Sequence, residues 1–370
     1  MSGLNLYVLR VKLKYVCQAS VDAYGVSCEK LYELDSDIVW KEERRRDGFV
    51  VKVSYTVASP HCDKYEDIVN YYNLTIDAVP AKDDHDAFFS ILDRVQDICK
   101  ALTMMINSHN IVCREESQVR VYPDYSTLKI DFQRKCEPTA EEHNGHIEKI
   151  KLADNCFIAE TVNITSNTSI DVSGFPKFLN IKSHDAKYIC NQLYMAMGDE
   201  MLASKFFHLA AIIEFVEANY SNLSGAQEIF TKEQRKYTCQ LVQSCLRRQK
   251  DFEKQKYTET ELGAIVNILE SGMSKKTDLG RNKKLKNILA QMGLKDIKIG
   301  FATYNIDENF CKSVTDCRNR YFHGADSIDK ADRQKLNEIV VKLIWLCSGI
   351  LNYVIQSEQN FNNTEVTEHD

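Results

Sequence analysis

Proline and glycine are scarce, at 5 and 14 of 370 residues. That excludes a collagenous chain or a linker-like, low-complexity one. No Cys-x-x-Cys pair occurs among the 13 cysteines, which stand singly from Cys17 to Cys347. Zinc ribbons and fingers need close thiolate pairs, so structural zinc of that kind is not expected. An odd cysteine count without a secretory leader reads as reduced thiols in a cytoplasmic protein. A leader needs an unbroken apolar core, and Arg10, Lys12 and Lys14 interrupt that region. No uncharged apolar run reaches the ~20 residues of a membrane span. The best stretch, Ile339 to Ile355, contains Lys342 and Asn352 and reads as a buried core helix. The sequons at Asn73, Asn163, Asn167 and Asn362 are then expected to be inert. His-Glu-x-x-His, the Walker-type phosphate loop and the Gly-x-Ser-x-Gly elbow are all missing, so a zincin, a P-loop ATPase and a serine hydrolase have no support.

Positive charge is not in excess either: 47 Lys+Arg stand against 53 Asp+Glu, a net of −6. The balance is uneven, however. Residues 231–300 hold 16 Lys+Arg and 8 Asp+Glu, a local +8 that leaves −14 on the other 300 residues. A phosphate-binding face would need such a basic segment. A solvated helix surface with a mobile loop around Lys283-Lys284 accounts for it equally.

Two halves differ in period. Up to about residue 183, alternation at period two marks strands at Leu4–Leu13, Phe49–Tyr55, Val119–Val121 and Leu128–Phe132. Asn144-Gly145 fits a two-residue hairpin turn. One helix interrupts them from about Asp86 to Ser108, with Ile91, Val95, Ile98 and Leu102 on one stripe. Asp83 to Asp86 reads as its capping and dipole charge. His143 and His146, beside Glu141 and Glu142, fit a polar hairpin tip better than a metal site.

Beyond about Ser183 the strand signal stops. Helices are expected over about 186–220, 228–255, 258–272, 282–292, Glu308–His323 and Lys330–Gln356. In the first of these, Leu193, Met197, Phe207, Ala211 and Phe215 form the apolar stripe. Cys239 and Cys245 read as packing residues. The expected fold class is α+β: a β-rich sensor or regulatory domain over 1–183, an all-α helical bundle over 184–358 and a disordered tail over 359–370.

Asp316-Cys317-Arg318-Asn319-Arg320-Tyr321-Phe322-His323-Gly324 carries the most chemistry. On a helix, Lys312, Asp316, Asn319 and His323 share one polar stripe, and Phe310, Val314, Cys317 and Tyr321 an apolar one. Arg318 lies off the polar stripe. RNA cleavage through the 2′-hydroxyl needs a proton acceptor, a proton donor and positive charge at the phosphorane. An imidazole, an arginine fork and an asparagine amide supply those functions, with no metal or other cofactor demanded. Yet Arg-Asn-x-x-x-His fixes only three positions and arises by chance in about one chain in twenty of this length. His323 could equally cap a helix end, and Arg318 and Arg320 could pair with Asp316 or the next helix.

The C-terminal half resembles the HEPN superfamily, most closely its Apea-like members in bacterial defence proteins. The matching features are Arg318-Asn319-x-x-x-His323-Gly324, the long helix after it ending in Ile350-Leu351, and Phe206 to Glu214 as the first helix with its glutamate. The resemblance implies a metal-independent endoribonuclease, toxic when unleashed and used in antiphage abortive infection, whose site is composed across a homodimer. In that reading Arg318 stabilises the phosphorane, Asn319 orients it and His323 is the acid and base. Arg320, Lys312, Lys283 and Lys284 are candidates for RNA contacts. Ala325 stands where a related toxin subgroup carries a modified tyrosine. Partners would be RNA, a second copy and an unknown trigger ligand or inhibitor, with no membrane. The rival readings are a non-catalytic dimerising module that binds RNA or a partner, and a ligand sensor in which the β-rich half does the main work.

Overall fold

The computed structural model describes residues 4–18, 30–60, 70–112, 118–136, 151–152, 166–248, 257–274, 277–322 and 330–365. The order is β1 (Asn5–Gln18), β2 (Lys30–Leu34), β3 (Ile38–Arg46), β4 (Phe49–Ala58), β5 (Tyr71–Ala81), α1 (Asp84–Val112), β6 (Gln118–Lys135), β7 (Lys151–Leu152) and β8 (Ser166–Ile170). Then come α2 (Phe175–Leu179), α3 (His184–Gly198), α4 (Leu202–Asn219), α5 (Lys232–Arg248), α6 (Glu259–Ser274), α7 (Arg281–Gln291), β9 (Asp296–Ile299), β10 (Ala302–Asn305), α8 (Glu308–Phe322) and α9 (Lys330–Glu365). The expected α+β layout, strands first and helices after, is the fold.

The main sheet runs β6-β1-β5-β4-β3-β7 and its neighbours pair antiparallel. Alternation buries one face: Leu9, Val11 and Leu13 on β1, Val53, Tyr55 and Val57 on β4, and Leu74 and Ile76 on β5. The stripe Ile91, Val95, Ile98 and Leu102 of α1 is buried as its spacing predicts. Asp83 caps that helix, its carboxylate accepting from the Asp86 amide at 2.8 Å. The β3–β4 hairpin turns at Asp47-Gly48, both left-handed (φ 47° and 84°), as a type I′ turn requires. The two β6 segments expected from alternation are a single strand of 18 residues. The Asn144-Gly145 turn, His143 and His146 lie outside the described residues.

Edge strand β6 is covered by side chains instead of another strand. Asn107 of α1 bonds both the N–H and the C=O of Val119, at 3.0 and 2.6 Å. Thr103 accepts from the Val121 amide at 2.9 Å, and the Tyr194 hydroxyl of α3 donates to the Val121 carbonyl at 2.9 Å. Exposed strand edges invite foreign pairing, and here the outward polar groups of two residues are already satisfied.

The chain divides into two compact units, at Leu209/Ala210 within α4 and at Ile339/Val340 within α9, with Lys298–Tyr304 counted in the first. The expected boundary near residue 183 does not coincide with this division. The reason is that α3 packs with the sheet through Tyr194, and Cys347 of α9 reaches the Leu209 carbonyl. Four expectations are corrected. The stretch 186–220 is two helices, broken at Asp199, whose carboxylate accepts from Met201 N at 3.1 Å and from the Ser204 hydroxyl. The break resets the helical phase, so Phe206 is buried and Phe207, placed on the apolar stripe, is half exposed. A β9–β10 ribbon interrupts the helical half, and α9 runs past residue 358 to Glu365. The apolar window of α9 passes length and composition criteria for a membrane span, but 67% of it is buried within the fold.

Candidate active site

Helix α8 begins where Asp307 accepts from the Phe310 amide at 2.8 Å, a side-chain cap on the first turn. Cys311, Val314 and Cys317 are its buried stripe, while Lys312, Asp316, Asn319 and Arg320 are exposed. Phe310, assigned to the apolar stripe, is only half-buried, because Cys311 takes the core position. Burial pushes the Cys317 thiol up, and the Cys311 thiol up to about 12, so neither is a thiolate near neutral pH. The two half-bundle faces therefore divide as helical spacing dictates: packing on one, chemistry on the other.

Arg318 sits on the flank between them, half-buried, and its Nε forms an ion pair with Glu214 of α4. Its Nη1 also reaches the Asn319 side-chain oxygen at a long 3.4 Å. The two side chains are 29% and 39% exposed, while the paired Nε and Oε1 atoms are themselves shielded. Such a pair is worth at most ~1 kcal/mol, so it orients the guanidinium more than it stabilises the fold. Arg320, three-fifths exposed, pairs with Asp332 of α9 at 2.6 Å. His323 and Gly324 lie outside the described residues, as does Ala325.

A second pair lies on the same unit. Glu217, one turn beyond Glu214 on α4, takes Arg281 of α7 in a forked contact at 2.5–3.1 Å. That carboxylate raises the Arg281 pKa. The Thr315 hydroxyl bonds the Asn282 side chain at 3.2 Å, tying α8 to α7. Lys283 and Lys284 follow at once, and the expected mobile loop there is instead the first turn of α7. Lys283 is exposed and Lys284 half-buried. Three cations in the first turn, Arg281, Lys283 and Lys284, oppose the helix dipole, which makes the turn electropositive.

Sequence reasoning brought Arg318 and Asn319 forward but gave no site role to Glu214, Glu217 or Arg281. The available signal was the Glu214/Glu217 spacing of three in the apolar C-terminal part of α4, which puts two carboxylates on one face. Among the described residues no group of three or more His, Cys, Asp or Glu could hold a metal ion. Comparison with protein-family models, with curated proteins and with solved structures finds no match to this chain.

Proposed function

We propose that the chain is a metal-independent endoribonuclease of the HEPN type, acting in the cytoplasm as a homodimeric toxic effector of antiphage defence. The observation that supports it is Arg318, partly exposed and held by the Glu214 carboxylate, next to exposed Asn319 on the same helix. A guanidinium is a planar, permanently charged fork suited to a phosphate. In the reaction, an imidazole takes the 2′-hydroxyl proton as the 2′-oxygen bonds to phosphorus. The P–O5′ bond breaks, and an imidazolium returns a proton to the leaving 5′-oxygen. The products are a 2′,3′-cyclic phosphate, or the 3′-phosphate after hydrolysis, and a 5′-hydroxyl. His323 of each protomer would supply the proton transfers, Arg318 the phosphorane charge and Asn319 its orientation.

The test is RNA cleavage by the purified protein in EDTA, for wild type, His323→Ala and Arg318→Ala. Cleavage by wild type alone supports the assignment. Equal rates in all three remove it, and loss of wild-type activity in EDTA points to a metal enzyme.

One observation favours the second reading, a dimerising module that binds RNA or a partner without cutting. Arg320 pairs with the next helix and Arg318 with Glu214, which is what purely structural arginines would do. Growth arrest on expression that persists in His323→Ala would decide for that module.

A further inference from the structure

We propose that the cavity between β3 and α1 binds a small oxyanion of the phosphate class. The cavity measures about 180 Å³ and is lined by Arg44, Arg45, Arg46, Pro80 and Ser90. At roughly 30 Å³ per water, that is the space of about six waters, enough for one or two phosphoryl groups.

Arg44 and Arg46 are two residues apart on β3, so both point to the strand face that α1 covers. Arg46 is balanced: its guanidinium grips both Asp86 oxygens at 2.6 and 2.7 Å and donates to the Pro80 carbonyl at 3.0 Å. Further along the same face, Glu42 is consumed by Arg94 and by the Trp40 indole at 2.9 Å. Arg44 is not balanced. It donates to the Ser90 carbonyl at 2.7 Å, and among the described residues no carboxylate pairs with it or with Arg45. A half-buried guanidinium held by a neutral carbonyl and a neutral hydroxyl keeps its full charge and has donors to spare.

A second observation points the same way. Tyr55 of β4 is fully buried, and its hydroxyl lies within side-chain hydrogen-bonding reach of the Arg44 guanidinium, a neutral partner that leaves the charge of Arg44 uncompensated. Burial pushes its pKa up to about 12, with Arg44 acting in the opposite sense, so the hydroxyl lies within that guanidinium's field. A tetrahedral oxyanion has enough oxygens to accept from Arg44 and Arg46 together, whereas one planar fork already occupies both oxygens of a carboxylate.

The experiment is isothermal titration of the full-length protein with pyrophosphate, orthophosphate and malonate at matched ionic strength. Wild type is set against Arg44→Gln and against Lys41→Gln on the exposed strand face, each checked for folding by circular dichroism. Pyrophosphate and orthophosphate are expected to bind wild type and Lys41→Gln alike, and Arg44→Gln at least ~10-fold more weakly. Should Arg44→Gln fail to fold, Arg44→Lys takes its place, since it keeps the charge and loses the fork. No heat with any phosphate, equal affinity in the Arg44 variant, or malonate binding as tightly as pyrophosphate would each overturn the proposal. No arm uses RNA, so the site and the ribonuclease reading stand or fall separately.

Discussion

The carboxylate of Glu214 and the guanidinium of Arg318, on helices separated by about a hundred residues of chain, form an ion pair between two partly exposed side chains. On the ribonuclease reading this pair aims the fork at the phosphorane. Glu214→Gln keeps the shape and removes the charge, so cleavage is expected to fall about tenfold. Arg318→Ala, which deletes the donor itself, should cost ~10²-fold or more. Initial rates on one RNA substrate check both, and a Glu214→Gln rate within a factor of two of wild type would sink the positioning role.

Asn107 carries the edge of the main sheet. Truncating it to Ala strands the N–H and C=O of Val119 in a buried setting, at about 1–3 kcal/mol for each group. Urea unfolding should show a midpoint well below that of wild type. An unchanged midpoint in Asn107→Ala would mean that water reaches this edge.

Asp86 links Arg46 to acid stability. Partial burial opposes the shift, but the Lys82 amide and the Arg46 guanidinium hold its carboxyl below the usual range. A depressed folded pKa contributes stability that is present above the unfolded value of about 3.9 and lost as pH falls through the folded one. The gap in melting temperature between wild type and Asp86→Asn should therefore be full at neutral pH and close below about pH 4. A gap independent of pH would assign the whole effect to packing.

The sheet and α1 were legible because both periods are clean: Leu9, Val11 and Leu13 alternate, and Ile91, Val95, Ile98 and Leu102 repeat each turn. β3 escaped because Lys41 to Arg46 is charged on both faces, its inward arginines being paired or facing the cavity rather than apolar. The Asp47-Gly48 pair, a strong hairpin signal, was the clue to it. At the candidate site, helical arithmetic sorted α8 into its two faces. Nothing local in the sequence could say that Arg318 meets Glu214, since that contact depends on how distant helices pack.

Thiol chemistry separates the cysteines by burial. Desolvation pushes the Cys99 and Cys347 thiols far up and that of Cys190 up to about 12, whereas Cys245 is exposed on α5. Because the thiolate is the nucleophile, a neutral alkylating reagent should label Cys245 in the native protein long before those three. Peptide mass spectrometry reads the order. Early labelling of Cys347 would show that α9 leaves the core.

Lys283 and Lys284 test the basic segment by its salt dependence. Each lysine that neutralises a backbone phosphate of single-stranded RNA adds about 0.7 to the slope of log affinity against log salt. Both sit in the first turn of α7, where the helix dipole adds to their field. If both contact RNA, the double variant Lys283→Ala/Lys284→Ala should bind more weakly at low salt, with a slope shallower by about 1.4. Fluorescence anisotropy with the His323→Ala protein as the background measures this without cleavage. An unchanged slope would make the cluster a solvated helix face, and the RNA path would then have to be sought from Lys312 and Asn319, the exposed side of α8.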